Sequence, residues 1–239
     1  MLENVDLKKL LIIDIETVAQ YPDYETLPER WKELWNIKAR QLAKENETPG
    51  ELYHRAGIYS EFGKIICITA GFFTEADNSL SLRIKSYYGE DECLILKEFC
   101  ELLDTKYSQP GSQLCAHNGK EFDYPYIARR CLINNLKIPA ILDNAAKKPW
   151  EVSLLDTMEL WKFGDKKSYT SLNLLAALFG IDSPKAEMDG SQVYEVYWKE
   201  KDIEKIRIYC QRDVAALAKI FLRFRSAKLL EEENIIYTN

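Results

Sequence analysis

Apolar residues fall in short unbroken blocks early in the chain and in spaced stripes late in it. The first block, Leu10-Leu11-Ile12-Ile13, runs on into Asp14-Ile15-Glu16-Thr17 and predicts a buried strand over 10–16. Residues 64–73 predict a second strand. Residues 80–87 predict a third, with Leu80, Leu82 and Ile84 on one face. Asp77-Asn78 between them predicts a turn and an antiparallel pair. A short strand is expected at 113–117, turning at Asn118-Gly119, and a last one at 152–156. Helical spacing fills the rest. Residues 28–57, rich in Trp, Lys, Glu and Arg, predict one or two helices broken near Thr48-Pro49-Gly50. A helix over 91–106 should turn Leu94, Phe99, Leu102 and Leu103 inward, and another should run from Asp123 to Leu132 with Pro125 in its first turn. Further helices are expected over 171–179, 190–198 and 202–225, with Glu231-Glu232-Glu233-Asn234 peripheral. Strands with helices between and after them predict an α/β layered domain with a mixed sheet. Nothing over 60–226 reads as a linker, so one domain is expected.

The polar positions that interrupt this pattern carry the chemistry. Strand side chains alternate faces, so Asp14 and Glu16 point the same way. Two carboxylates side by side at the end of a buried strand are costly unless a positive group sits between them. A divalent metal ion is the simplest such group. On the last helix the inward stripe is Ile203, Ile206, Cys210, Asp213, Leu217, Ile220 and Phe224, which places an aspartate in an apolar seam. Tyr209 lies one turn before it. A slightly rotated helix would instead put Asp213 at the solvent boundary and leave Tyr209 as ordinary core. Asp123, taken alone, reads first as a helix N-cap before a first turn that contains proline.

Composition narrows the field. With 46% hydrophobic and 29% charged residues, the chain is an ordinary globular protein. Its 32 basic against 38 acidic residues give a net charge of −6. That argues against a bulk electrostatic nucleic-acid binder, though an enzyme gripping a few phosphates remains compatible. No apolar run is long enough to span a membrane and no signal-peptide pattern opens the chain. The six cysteines include no CxxC pair, which argues against zinc, and most read as buried free thiols of a reducing compartment. A cytoplasmic location follows as the expectation.

Taken together, Asp-x-Glu on the first strand, Asn118 to Asp123 in mid-chain and Tyr209-x-x-x-Asp213 on a late helix resemble the three motifs of the DEDD superfamily of 3′–5′ exonucleases. The Tyr-x-x-x-Asp form marks the DEDDy branch. The DEDDh branch needs a histidine shortly before the last aspartate, and the only histidines are His54 and His117. Asp14-Ile15-Glu16-Thr17 and the segment from Asn118 through Phe122-Asp123-Tyr124-Pro125-Tyr126-Ile127 look most similar to the proofreading exonuclease domain of family-B DNA polymerases. Ser171-Leu172-Asn173-Leu174-Leu175 resembles a substrate motif of the same domain. The resemblance spans about 8–226. It departs from the family in the long insert at 28–57 and in lacking a following polymerase region, so the chain reads as a free-standing exonuclease.

The resemblance implies a ribonuclease H-like mixed β-sheet flanked by α-helices. It implies a metal-dependent 3′–5′ exonuclease that hydrolyses phosphodiester bonds at the 3′ end of single-stranded nucleic acid, with DNA favoured. Two divalent ions, Mg²⁺ or Mn²⁺, would be held by Asp14, Glu16, Asp123 and Asp213. Asp14 would be shared between the ions, Glu16 and Asp213 would hold one and Asp123 the other, with Tyr209 orienting the attacking water. Thr17, Asn118, Phe122, Ser171 and Leu172 would meet the substrate, though Phe122 serves equally as core. Arg129-Arg130 and Lys166-Lys167 read as solvated surface pairs rather than phosphate contacts, and Asp156 as a helix cap rather than part of the site. The insert is a lid, a dimer surface or intramolecular packing around Trp31 and Trp35, the last being the simplest. Two rival readings stand beside the exonuclease: an RNA-trimming exoribonuclease, and a non-catalytic nucleic-acid-binding module on the same fold.

Overall fold

A computed structural model of the chain describes residues 2–76, 79–148, 151–152, 154–165, 169–182 and 188–238. Among them are strands β1 (Leu10–Ala19), β2 (Gly63–Ala76), β3 (Ser79–Tyr88), β4 (Gln113–Ala116), β5 (Leu155–Asp156) and β6 (Ile235–Thr238). They form one sheet in the order β5-β4-β1-β2-β3-β6. β2 runs antiparallel to β1 and β3, and the other pairings are parallel. Helices α1 (Glu29–Leu42), α2 (Glu92–Lys106), α3 (Asp123–Ile133), α4 (Thr157–Lys162), α5 (Leu172–Leu178), α6 (Val193–Glu195) and α7 (Ile203–Phe224) flank it. This is the mixed, helix-flanked α/β sheet expected from the pattern.

β1 is apolar on both faces because both faces are covered. Leu11, Ile13 and Ile15 pack with α2 and α3, while Leu10 and Ile12 pack with α7. Asp14 and Glu16 therefore share the α7 face with Leu10 and Ile12. α7 lies close to the sheet at Gly71, opposite Ile12, where a Cβ would stand 2.7 Å from Val214 Cγ1. Glu16 opposes Cys67 but Thr17 opposes Ile65, so Ile66 is an extra residue on β2. That bulge sits beside Glu16, where the strands twist away from regular pairing.

The insert breaks as expected, into α1 and a 3-10 helix, Glu51–Ile58. It packs on itself: Trp35 is fully buried, lies edge-on to Tyr53 and Phe62 at 5.4 and 5.2 Å, and donates Nε1–H to Pro49 O at 2.7 Å. It also grips β1, since a Cβ on Gly57 would stand 2.9 Å from the Val18 carbonyl carbon.

Several expectations need correction. Leu94 points outward, 53% exposed, because the buried stripe of α2 runs through Ile95, Leu96, Phe99, Cys100 and Leu103. The last predicted strand shrinks to Leu155–Asp156, with Ser153 outside the described residues. The 190–198 helix is a 3-10 turn, Gly190–Gln192, then α6, then a π turn, Val196–Glu200. The wider turn lets Tyr197 go inside while the neighbouring Trp198 donates Nε1–H to Ala19 O at 3.1 Å. Beyond the peripheral acidic tail, β6 adds an unforeseen edge strand to β3. Arg130 is not a surface residue: it is 3% exposed and bonds Glu92 through Nε at 2.8 Å. The Asp77-Asn78 turn and Lys166-Lys167 lie outside the described residues.

Candidate metal centre

Three elements deliver carboxylates to one place. β1 presents Asp14 and Glu16 toward α7, and one oxygen from each lies within 4.8 Å of the other and of Cys210 Sγ. α7 answers with Tyr209, Cys210 and Asp213. Asp213 is 8% exposed, so the boundary reading of that position does not hold. Asp123 opens α3 but does not cap it: the N-cap residue is Phe122, with no side-chain cap bond. The Asp123 carboxyl is buried instead, and its Oδ1 has no hydrogen-bond partner.

These groups repel one another. Burial, then Asp213 and Asp123, push the Asp14 carboxyl well above the usual carboxylate range, opposed by a bond from the Cys210 thiol. Burial, then Asp14 and Asp213, do the same to Glu16. Burial, with Asp156 and Asp213 adding to it, raises Asp123 to about 7, while the backbone amides of Asp123 and Ile15 pull the other way. The Tyr209 phenol is held neutral by burial, then by the fields of Asp213, Glu16 and Asp14. Crowded buried carboxyls with one unpartnered Asp123 oxygen are the kind of donor set a hard divalent cation would fit, since its charge would reverse the repulsion.

The turn before Asp123 is built by groups behind the site. Asp156 Oδ1 accepts the Asn118 N–H at 2.9 Å and its Oδ2 accepts the Lys120 N–H at 3.1 Å. The same Oδ1 accepts Met158 N–H at 2.9 Å, capping α4. Asn118 thereby holds a left-handed conformation, φ 62°. His117 pairs Nδ1 with Thr157 Oγ1 at 2.9 Å and Nε2 with Thr170 O at 2.8 Å. Burial lowers its pKa, so the neutral ring donates to the Thr170 carbonyl and accepts from Thr157. This strap fixes the segment leading into Ser171.

A family model described as a predicted 3′-5′ exonuclease related to the exonuclease domain of PolB matches residues 58–235. The chain belongs to that family. The matched residues include Asp123, Tyr209 and Asp213, while Asp14 and Glu16 precede them on β1. Among solved structures, the family B DNA polymerase from the hyperthermophilic archaeon Pyrobaculum calidifontis superposes with a TM-score of 0.55 at 14% identity, over 90% of this chain and 24% of the polymerase. That likeness is one of fold, and the chain spans about a quarter of the polymerase's length. No curated protein matches the chain by sequence.

The remaining positions singled out in this member of the PolB-related family are engaged in structural contacts. Thr17 Oγ1 donates to Gly57 O at 2.8 Å, tying β1 to the insert. Phe122 is half-buried against Tyr126, ring centres 5.3 Å apart, which agrees with its core reading. Ser171 caps α5 through Leu174 N–H, and Leu172 packs against the apolar face of α7. Sequence reasoning missed three contributors. Cys210 stood in the same inward stripe as Asp213, and that shared face was the available signal. Asp156 does cap a helix, but it holds the Asn118 turn as well. His117 adjoins Asn118, and only the folded chain brings Thr170 to it.

Proposed function

We propose that this chain is a metal-dependent 3′–5′ exonuclease that removes nucleotides from single-stranded 3′ ends, DNA ahead of RNA. The observation that carries the reading is the convergence of Asp14, Glu16, Asp123 and Asp213 from β1, α3 and α7, with the buried Asp123 Oδ1 left unpartnered. Asp14 faces the other carboxylates and would contact both ions, Glu16 and Asp213 one, and Asp123 the other. Mg²⁺ or Mn²⁺ bound there supplies water activated at neutral pH and absorbs charge on the leaving oxygen. Tyr209 is a poor base, since its phenol stays protonated, and it orients the attacking water through its hydroxyl. The backbone after Glu16 would meet the 3′-terminal sugar, and Asn118 the next nucleotide.

The test is a time course on 5′-labelled single-stranded DNA and RNA with Mg²⁺, Mn²⁺ or EDTA, run beside Asp14→Ala. A descending ladder that disappears with EDTA and in the variant is expected, faster on DNA. A faster RNA ladder would make the protein an exoribonuclease. Undiminished cleavage by Asp14→Ala would place catalysis elsewhere, and no cleavage of either strand by folded, metal-loaded protein would favour a binding module.

A further inference from the structure

The four carboxylates are not alone on the α7 face: a thiol completes a second, softer set. Cys210 is fully buried, yet its Sγ lies 3.2 Å from Asp14 Oδ2 and 3.6 Å from the Asp14 carbonyl oxygen. Sγ and one oxygen each from Asp14 and Glu16 fall within 4.8 Å of one another. Thiolate and carboxylate ligands at bond lengths of about 2.3 and 2.0–2.2 Å sit roughly 3.5 Å apart around a tetrahedral ion. The three groups therefore need only small side-chain rotations to close on one cation. Asp14 is partly exposed, so an ion reaching its carboxylate also reaches the sulfur behind it. Beside it, the buried Asp123 Oδ1 has no hydrogen-bond partner, and its carboxyl is near enough to act on Asp14.

We infer that Asp14, Glu16 and Cys210 form a binding site for thiophilic divalent cations, Zn²⁺ or Cd²⁺, that competes with the hard ion by capturing Asp14. Mg²⁺ and Mn²⁺ prefer oxygen and leave Cys210 as a protonated hydrogen-bond donor. A softer ion takes the sulfur as ligand, the thiol proton passing to solvent. Spacing in the sequence hides the site, because its ligands come from a strand and a helix almost two hundred residues apart. The inference rests on reading Asp14 and Glu16 as metal ligands, but its test involves no turnover, so loss of the exonuclease reading leaves it standing.

The experiment is an ultraviolet titration of the full chain with Cd²⁺, following the thiolate-to-cadmium charge-transfer band. Wild type should develop the band at one equivalent. Cys210→Ser should lose it and bind Cd²⁺ more weakly by at least the roughly 10–100-fold typical of losing a supporting group at a metal site. Cys93→Ser, at the partly exposed thiol, should keep it. Asp14→Asn and Glu16→Gln, which relieve crowding and leave Cys210 in place, should each weaken the band if Cys210→Ser fails to fold. A band that survives Cys210→Ser, or that persists unchanged in both carboxylate variants, overturns the site. Loss in Cys93→Ser alone would assign the band to a surface thiol and overturn it too.

Discussion

Asp123 is the residue whose behaviour depends most on a cation. Its carboxyl is raised from 3.8 to about 7 by burial and by Asp156 and Asp213, so the metal-free native state keeps a proton that the unfolded chain releases. Stability from that group is complete below about pH 4 and is lost as pH rises toward 7. The full effect is roughly 4 kcal/mol if completely realised. In EDTA, the melting temperature should fall between about pH 4 and 7, Asp123→Asn should flatten the fall, and Mn²⁺ should restore stability most above pH 7. A fall of equal slope in Asp123→Asn would show that the carboxyl is not the source. Tyr209→Phe separates positioning from binding. Losing the hydroxyl should slow cleavage about 100-fold while calorimetric Mn²⁺ affinity stays put; lost affinity would make Tyr209 part of the ion's support instead. The position of Tyr209 was legible in sequence, since it lies four residues before Asp213 on the same helix. The state of Asp123 was not: an N-cap and a buried ligand look alike until φ and ψ place the cap at Phe122.

At the scale of elements, the site is held by a few side-chain bridges between segments far apart in the chain. Asp156 joins the end of β4, the turn at Asn118 and the start of α4 through four N–H groups. Asp156→Ala removes a helix cap, worth about 0.5–2 kcal/mol, and leaves turn amides unpaired at about 1–3 kcal/mol. Chemical denaturation should show a loss of about 2–4 kcal/mol. Nuclease activity should fall at temperatures where the variant is still folded, because the turn that delivers Asp123 has lost its anchor. Full activity in the folded variant would mean that α3 alone positions Asp123. The elements themselves were readable where a periodic pattern ran for ten residues or more, as in β1, β2, α2 and α7. Short ones were not. β5 keeps two residues because its pairing is confined to Cys115 and Ala116. β6 has four residues and exists only because the edge of β3 offers it a partner, which no local pattern records.

At the scale of the whole molecule, the best-buried ion pair among the described residues lies on α2 and α3, the helices of the other face of the sheet. Glu92 and Arg130 are 7% and 3% exposed. Arg130 gives Nε to Glu92 Oε1 at 2.8 Å, Nη2 to Oε2 at 2.5 Å and Nη1 to Ser60 O at 2.9 Å. Glu92 Oε1 also accepts the Ile65 N–H at 2.7 Å. One pair thus locks α2, α3, the start of β2 and the loop that follows the insert. The sequence offered Arg129-Arg130 as a surface doublet because adjacent helical residues point about 100° apart, and nothing local says that one of them meets a carboxylate 38 residues earlier. Burial makes the pair asymmetric to mutation. Arg130→Met strands the Glu92 charge and should cost about 3–5 kcal/mol, whereas Glu92→Leu combined with Arg130→Met removes both charges and should recover much of that loss. Urea unfolding of the two single variants and the double variant measures the coupling. A double variant as unstable as the sum of the singles would mean that the bonds to Ser60 and Ile65, rather than the ion pair, hold these segments together.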